Sequence, residues 1–206
     1  IDCHVPEVIE ELEGLIASGD MKELNGGGLQ HKDGTVLIPG SEIEINDENC
    51  HGPIHVLAYF PTLNKMKQFS EWLRKRVTNN TLSSQRIYEN AIVLQETVKD
   101  LGGLFIPAHI FTPHKSLYGK GVRKSLTEVL NPDWIDAVEL GLSADTSMAS
   151  RLRELNRYTF LTNSDAHSLP KLAREYQKLS LMEPTFNEWH MALQQKDGRA
   201  ILANYG

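Results

Sequence analysis

The stretch from Tyr158 to Pro170, YTFLTNSDAHSLP, combines a short aromatic and β-branched run with two potential metal ligands. The run at 158–162 has the composition of a strand and the next two residues favour a turn, so Asp165 and His167 are predicted just beyond a buried strand. Functional side chains of α/β folds lie at this end of their strands. An Asp-x-His pair there suits zinc, manganese or iron. An alternative interpretation has Asp165 capping a following helix and His167 on the surface.

Length and composition predict one globular domain over residues 1–206. The chain is 40% apolar and 23% charged, with a formal net charge of −6. It has no apolar run long enough for a membrane helix and no secretory leader pattern, so we expect a soluble, cytoplasmic protein without a membrane partner. Cys3 and Cys50 lack metal-type spacing and are expected to be reduced thiols. The acidic balance argues against a general nucleic-acid coat, but bound divalent cations would reverse the local charge at a catalytic site.

Outward from this stretch, helix and strand patterns alternate along the chain. Helical spacing predicts helices over 6–19, 65–77, 83–101, 148–155 and 186–195. Strand patterns fall at 35–38, 41–45, 53–60, 104–108, 136–140, 158–162, 179–182 and 199–203. This alternation favours a mainly parallel sheet, either open or closed into a barrel.

Metal-binding residue types recur at or near the ends of these strands. The candidate ligands are Asp2, His4, Glu42, His55, His109, Asp165 and His167. A single histidine inside a strand, such as His55, is more often a core residue than a ligand. Independent core histidines would not lie so consistently at strand ends, however, so the pattern as a whole predicts a site for several metal ions.

These motifs resemble the polymerase and histidinol phosphatase (PHP) superfamily. In family order they are Ile1-Asp2-Cys3-His4, Gly40-Ser41-Glu42, the run from His55 to Phe60, Ala108-His109, and Asn163-Ser164-Asp165-Ala166-His167. The stretch from Ile106 to Gly119, IPAHIFTPHKSLYG, is similar to the branch that contains endonuclease Q. A Bacillus member of this branch is sometimes called a helicase, but this chain has no Gly-x-x-x-x-Gly-Lys-Ser/Thr loop.

The resemblance implies an irregular (β/α)₇ barrel, here without its first strand, that binds two or three divalent ions (zinc, manganese or magnesium). It implies a DNA repair endonuclease that cuts the phosphodiester 5′ of uracil, hypoxanthine, xanthine or an abasic site. Glu42 would bridge two ions and Asp165 would share in catalysis by a metal-activated water attacking phosphorus in line. His114 would either donate a hydrogen bond to a phosphate oxygen or fix its loop.

The loop after His109 is long and basic. Its candidate DNA-binding residues are Lys115, Tyr118, Lys120, Arg123 and Lys124. A cationic loop beside a phosphoesterase site favours a DNA substrate over a small phosphoester. The alternative is that these residues only keep a long loop hydrated.

One departure from the family concerns its first motif. The His-x-His pair is absent, and relatives continue into a zinc-ribbon-like segment beyond Gly206. We therefore expect the chain to be truncated at both ends and to lack part of the metal site and of the DNA-binding surface. Two other functions remain open, which are a small-molecule phosphoesterase of the histidinol-phosphatase type and a binding module without activity.

Overall fold

The computed structural model describes residues 2–206, which form a mixed α/β fold with five α-helices and ten short strands. The helices are α1 Pro6–Ala17, α2 Leu63–Arg74, α3 Ala91–Asp100, α4 Thr146–Ala149 and α5 Phe186–Leu193. The first seven strands are β1 Met21–Glu23, β2 Leu29–His31, β3 Val36–Leu37, β4 Gly40–Ile45, β5 Ile54–Tyr59, β6 Leu104–Pro107 and β7 Val138–Glu139. The last three are β8 Phe160–Leu161, β9 Tyr176–Ser180 and β10 Ala200–Tyr205.

The sheet formed by β4, β5 and β6 carries the candidate ligands. Its strands are antiparallel, and the register pairs Glu42 with Leu57 and Glu44 with His55. Because directly paired residues share a face, the two glutamates and His55 lie on one side of the sheet. On the opposite face, the apolar side chains of β4 and β5 pack into the larger apolar core cluster; they are Ile43, Ile45, Ile54, Val56 and Ala58. Both faces are covered, since all six residues of β4 are buried.

The expectation of a mainly parallel sheet is wrong for the described strands. They form four separate sheets, in which β7 with β8 is the one parallel pair. Strands β1 to β3 and the pair β9–β10 are antiparallel. Strand β5 follows β4 after a short loop, residues 46–53, and such a connection returns the chain antiparallel to itself. The closed barrel stays a prediction.

Two predicted helices are shorter than their sequence patterns. The helix predicted over 83–101 begins at Ala91, because residues 83–90 instead run alongside β4. The backbone of Glu44 bonds to Gln85 and Ile87 at 3.0 Å each. The helix then starts where the Asn90 side chain accepts from the Ile92 N–H at 2.8 Å. The helix predicted over 148–155 is divided into α4 and a 3₁₀ turn at Arg153–Leu155.

Within residues 2–206, the helices are all too short or too polar to cross a membrane.

Candidate metal centre

Three predicted ligands meet on one face of the sheet formed by β4, β5 and β6, which we call the central sheet. Glu42 on β4, His55 on β5 and His109 just after β6 each offer a ligand atom, and these atoms all lie within 4.8 Å of one another. His55 Nδ1 is 3.0 Å from Glu42 Oε1 and 3.3 Å from His109 Nε2. All three residues are buried. Two imidazoles and a carboxylate at this spacing form a donor set suited to zinc, manganese or iron.

Glu42 is held as an anion. Burial alone would raise its pKa, but His55, Ser84 and His109 outweigh burial and lower the pKa of Glu42 to about 2. The Ser84 hydroxyl donates to Oε1 of this carboxylate. Glu42 therefore has the charge that a cation requires over the whole neutral pH range.

His109 is oriented by Thr112. The Thr112 hydroxyl lies 3.0 Å from each of two carbonyl oxygens, those of His109 and His114, to which it can donate. Its lone pairs are then available to His109 Nδ1, also at 3.0 Å. This arrangement favours a proton on Nδ1, which leaves Nε2 free as a ligand atom on the side of Glu42. Burial lowers the pKa of His109, against the opposing charge of Glu42, so the neutral ligand form is favoured.

His55 lies between two carboxylates. Its Nδ1 faces Glu42, and its Nε2 is 3.6 Å from Glu44 Oε2. That Nε2 is buried and has no hydrogen-bond partner among the described residues. A histidine with its second nitrogen directed at a carboxylate is the usual arrangement of a metal-bound imidazole. With Nε2 directed at Glu44, His55 Nδ1 is the atom that converges with Glu42 and His109, and this arrangement fits a bound divalent cation.

Glu44 is itself fixed by two cations. Arg86 Nε lies 2.6 Å from Oε1 and Lys115 Nζ lies 2.9 Å from Oε2. Burial would raise the pKa of Glu44, but these two side chains outweigh it and lower the pKa. Lys115, predicted to contact DNA, thus has an intramolecular ion pair behind the candidate metal centre.

A cavity of about 420 Å³ adjoins the three-residue cluster. Its lining includes four acidic residues, and the described lining residues include no lysine, arginine or histidine; the acidic residues are Glu42, Glu139, Asp165 and Glu175. Burial, reinforced by Glu42 and Asp165, raises the pKa of Glu139 to about 7. Several carboxylates facing one cavity without a counter-charge are a second feature that fits a cation.

The Asp165–His167 motif is only partly brought to this site. Asp165 lines the cavity, and its charge partly opposes the lowering of the His109 pKa by burial. The His167 side chain is 79% exposed, with Nδ1 3.0 Å from the Asp165 carbonyl oxygen, and it is not brought into the cluster. The alternative in which Asp165 caps a helix is wrong, because the helical turn at Leu169–Lys171 has Ser168 at its N-cap and no side-chain cap bond.

The two candidate ligands of the first motif, Asp2 and His4, have different surroundings. His4 is buried, and its ring nitrogens lie 2.7 Å from Ser41 Oγ and 3.3 Å from the Leu82 carbonyl oxygen. These contacts occupy both nitrogens of His4 in the protein interior. Asp2, by contrast, has a buried Oδ1 without a partner among the described residues. Of the two, Asp2 is the better placed to accept a further contact.

The candidate DNA-binding residues of the basic loop are exposed, except for Tyr118. Lys120, Arg123 and Lys124 are exposed, and the backbone N–H groups of the last two donate to Glu128. Tyr118 is half-buried, with its ring stacked on Phe111. Its hydroxyl donates to Glu154 at 2.9 Å, so contacts within the protein account for its position. That Tyr118 contacts DNA stays a prediction.

His114 is exposed, and its backbone carbonyl lies within hydrogen-bonding distance of the Thr112 hydroxyl. This contact fixes the loop through the backbone and does not use the imidazole.

Sequence reasoning missed Glu139 as a functional residue. It is 4% exposed and accepts hydrogen bonds with both carboxylate oxygens. The available signal was a carboxylate inside the otherwise apolar run Ala137-Val138-Glu139-Leu140, since an unpaired glutamate is almost never fully buried. Glu44 could be placed on the same face as Glu42 by strand alternation, but its contact with His55 depends on the register between two strands.

No family model matches the sequence. The fold is nevertheless similar to that of solved lesion-specific endonucleases. The chain matches the lesion-specific endonuclease Q of Pyrococcus furiosus with a TM-score of 0.85 and 32% identity, over 98% of this chain and 48% of that one. A solved complex of endonuclease Q with a 27-mer duplex carrying an abasic lesion at the active site matches with a TM-score of 0.84 and 30% identity, over 98% and 49% of the two chains.

Two curated relatives are uncharacterised proteins. The chain is 63% identical over 206 residues to the protein YqxK of Bacillus subtilis, and it covers 53% of that protein. Over 108 residues it is 39% identical to a protein of Methanocaldococcus jannaschii, covering 12% of it. The chain thus spans about half the length of its Bacillus relative and of the endonuclease Q chains.

Proposed function

We propose that this chain carries the metal centre of a DNA repair endonuclease of the PHP superfamily, which cleaves the phosphodiester on the 5′ side of a deaminated base or an abasic site. The observation that carries the proposal is the buried cluster of Glu42, His55 and His109 in a fold similar to that of endonuclease Q. The duplex with an abasic lesion in the endonuclease Q complex supports damaged DNA as the substrate class.

In the proposed enzyme, divalent ions supply Lewis-acid activation of water and of the phosphoryl group. Glu42 would contribute the anionic ligand, and its Oε2 lies 4.0 Å from His109 Nε2. His55 and His109 would contribute nitrogen ligands, and Asp165 would add a carboxylate at the adjoining cavity. Together with Asp2, these residues would hold two or three ions within the proposed barrel.

The chain's own cations would bind the DNA. Lys120, Arg123 and Lys124 are exposed and follow His109 in sequence, so they can bind phosphates that flank the cleaved one. Lys115 and Arg86 each have a half-exposed side chain despite their contact with Glu44, and they would add positive charge next to the metal centre. The acidic cavity would then meet substrate only with its cations bound, because phosphate and carboxylates repel each other.

Labelled duplexes carrying uracil, hypoxanthine or an abasic site test the proposal, with manganese, magnesium or zinc supplied. We expect a single cut on the 5′ side of the lesion that requires a metal and is absent from an undamaged duplex. The full-length Bacillus relative, assayed in parallel, would provide the segments outside these 206 residues. Failure of both proteins to cut any lesion, together with hydrolysis of a small phosphoester such as p-nitrophenyl phosphate, would contradict the proposal in favour of a phosphatase.

A further inference from the structure

Glu139, the last residue of β7, joins the two segments that carry His109 and Asp165. Its Oε2 accepts a hydrogen bond from the His109 backbone N–H at 2.8 Å. Its Oε1 accepts from the Asn163 side-chain amide at 2.6 Å. The Glu139 carboxylate therefore bonds directly to the candidate ligand residue His109 and to Asn163, which lies two positions before Asp165.

The hydrogen bonds that begin at Glu139 continue beyond Asn163 to Gln177. The Asn163 side-chain oxygen accepts from Gln177 Nε2 at 3.0 Å, and Gln177 also donates to the backbone carbonyl of Thr162. A chain of hydrogen bonds thus runs from the His109 loop through Glu139 and Asn163 to β9. It crosses from the central sheet to the segment that carries Asp165.

Both connected ligand residues have backbone conformations that need support. His109 has φ of 30° and Asp165 has φ of 42°, values in the left-handed region that non-glycine residues rarely adopt. Such conformations persist where the surrounding structure over-determines them. The hydrogen bond to the His109 N–H acts at one of these residues itself, and the bond to Asn163 acts close to the other.

The carboxylate of Glu139 is difficult to explain by packing alone. It is 4% exposed and lies near Glu42 and Asp165, whose charges oppose its ionisation. A neutral residue of similar shape would avoid this cost, but glutamine has one acceptor oxygen where Glu139 uses two. With glutamine, an amide N–H would face either the His109 N–H or the Asn163 amide, leaving two donors opposed in a buried position.

We propose that Glu139 is a positioning residue that fixes the separation of His109 and Asp165, so that both can bind the same group of metal ions. This inference rests on the metal centre of the proposed function. Glu139 acts through the backbone of His109 and the side chain of Asn163, so removal of its second acceptor oxygen weakens metal binding without removing a candidate ligand.

The test is a titration of the 206-residue chain with Co²⁺, followed by the visible absorption of the bound ion and without DNA. Glu139→Gln is expected to weaken Co²⁺ binding by about 10- to 100-fold and to change the absorption spectrum, the range usual for residues that orient metal ligands. The double variant Glu139→Gln with Asn163→Asp is expected to restore both. In that variant the amide of the introduced glutamine donates to the introduced aspartate, whose other oxygen still accepts from Gln177.

Glu154→Gln is the matched control. Glu154 also accepts with both oxygens, from Tyr118 at 2.9 Å and from Ser125 at 2.7 Å, on the other side of the basic loop. We expect Glu154→Gln to lower thermal stability while Co²⁺ affinity and spectrum stay unchanged. Thermal unfolding of each metal-free variant shows that the titrations are made on folded protein.

Two results would overturn the role of Glu139. The first is a folded Glu139→Gln variant with wild-type affinity and spectrum. The second is a double variant that regains wild-type stability but not Co²⁺ binding. Failure of the unaltered chain to bind Co²⁺ would instead remove the metal centre itself, and with it both proposals. If the unaltered protein does not cleave lesion-bearing DNA while the Co²⁺ results are as expected, only the proposed substrate is contradicted.

Discussion

At the scale of single residues, one substitution can remove the charge of Asp165 and keep the size of its side chain. Asp165 lines the cavity beside Glu42 and Glu139, and its charge acts on His109. Asp165→Asn keeps the side-chain size and removes the charge, so we expect weaker divalent-ion binding and loss of lesion-dependent cleavage in a protein that still folds. Metal titration, cleavage assays and thermal unfolding measure the three quantities. The control is Asp33→Asn in an exposed turn, and full cleavage by Asp165→Asn at matched metal concentration would exclude Asp165 from the mechanism.

His190 gives a pH dependence that is independent of the metal centre. Burial lowers its pKa below the ordinary value of 6.5, Asp136 opposes this shift, and Lys99 and Lys196 add to it. The folded state then binds fewer protons at His190 than the unfolded state does, so stability is lost as the pH falls through about 6.5. Glutamine at this position removes the titration.

We therefore expect His190→Gln to flatten the fall in the free energy of unfolding between about pH 7 and about pH 5.5. Urea titrations of the metal-free protein at several pH values measure it. His167→Gln, the same substitution at an exposed position, is the control. Parallel curves for wild type and His190→Gln would show that this histidine does not contribute.

At the scale of elements, the loop after β7 is tightly packed against the metal centre. Gly141 has φ of +75°, and a Cβ there would lie 2.7 Å from His109 Cβ and 2.9 Å from its Cα. Gly141→Ala should therefore displace His109 and weaken metal binding. Gly102→Ala is a matched control, since Gly102 has φ of +74° and no atom within 4 Å of a Cβ.

The two glycine variants carry the same backbone strain, so a comparable loss of stability is expected from that source, about 1 kcal/mol in each. Only Gly141→Ala adds the contact with His109. Metal titration should separate the two variants, and equal metal affinities would show that the His109 loop adjusts freely.

The positions of several elements could be predicted from the sequence, but their partners could not. Apolar runs correctly indicated β5 and β6, and the strand predicted at 41–45 corresponds to β4, in which Glu42 and Glu44 share one face. Helical periodicity failed at 83–90 because backbone bonding to β4 replaced it, and no local signal distinguishes those residues from a helix. Strand direction also depended on which strands pair, which the alternating pattern does not specify.

At the scale of the whole molecule, an acidic chain carries a locally basic loop. The net charge is −6, while Lys120, Arg123 and Lys124 form no ion pair among the described residues. Affinity for duplex DNA should fall with salt, and Lys120→Ala with Arg123→Ala should reduce the log-log slope by about 0.9 per lost phosphate contact. Fluorescence anisotropy with a lesion-bearing duplex at several salt concentrations measures the slopes.

Arg74→Ala with Lys75→Ala makes the same change in net charge at the exposed end of α2. If the loop residues contact DNA individually, this control should keep the wild-type slope. Equal effects from both double variants would mean that only the overall charge matters, and the basic loop would then serve hydration.

The candidate site was predictable where a residue lies within or directly after an apolar run, as for His55 and His109. It was not predictable where a residue acts across the molecule. Glu139 connects the loop at 109 to the segment at 163, and Lys115 pairs with Glu44 across a long sequence separation. His4 and His167 have the residue type of a ligand, but one is bonded to Ser41 and the other is exposed.

Metal binding depends on the register in which β4 pairs with β5. A slip of one residue would turn Glu42 and Glu44 away and present Ile43 and Ile45 to the cavity in their place. The connecting residues 46–53 could change in length without this effect, whereas one residue inserted inside β4 would abolish the centre. An ion that binds only the correctly aligned strands also stabilises them by mass action. Metal binding would thus favour the correct register of the β4–β5 hairpin while the protein folds.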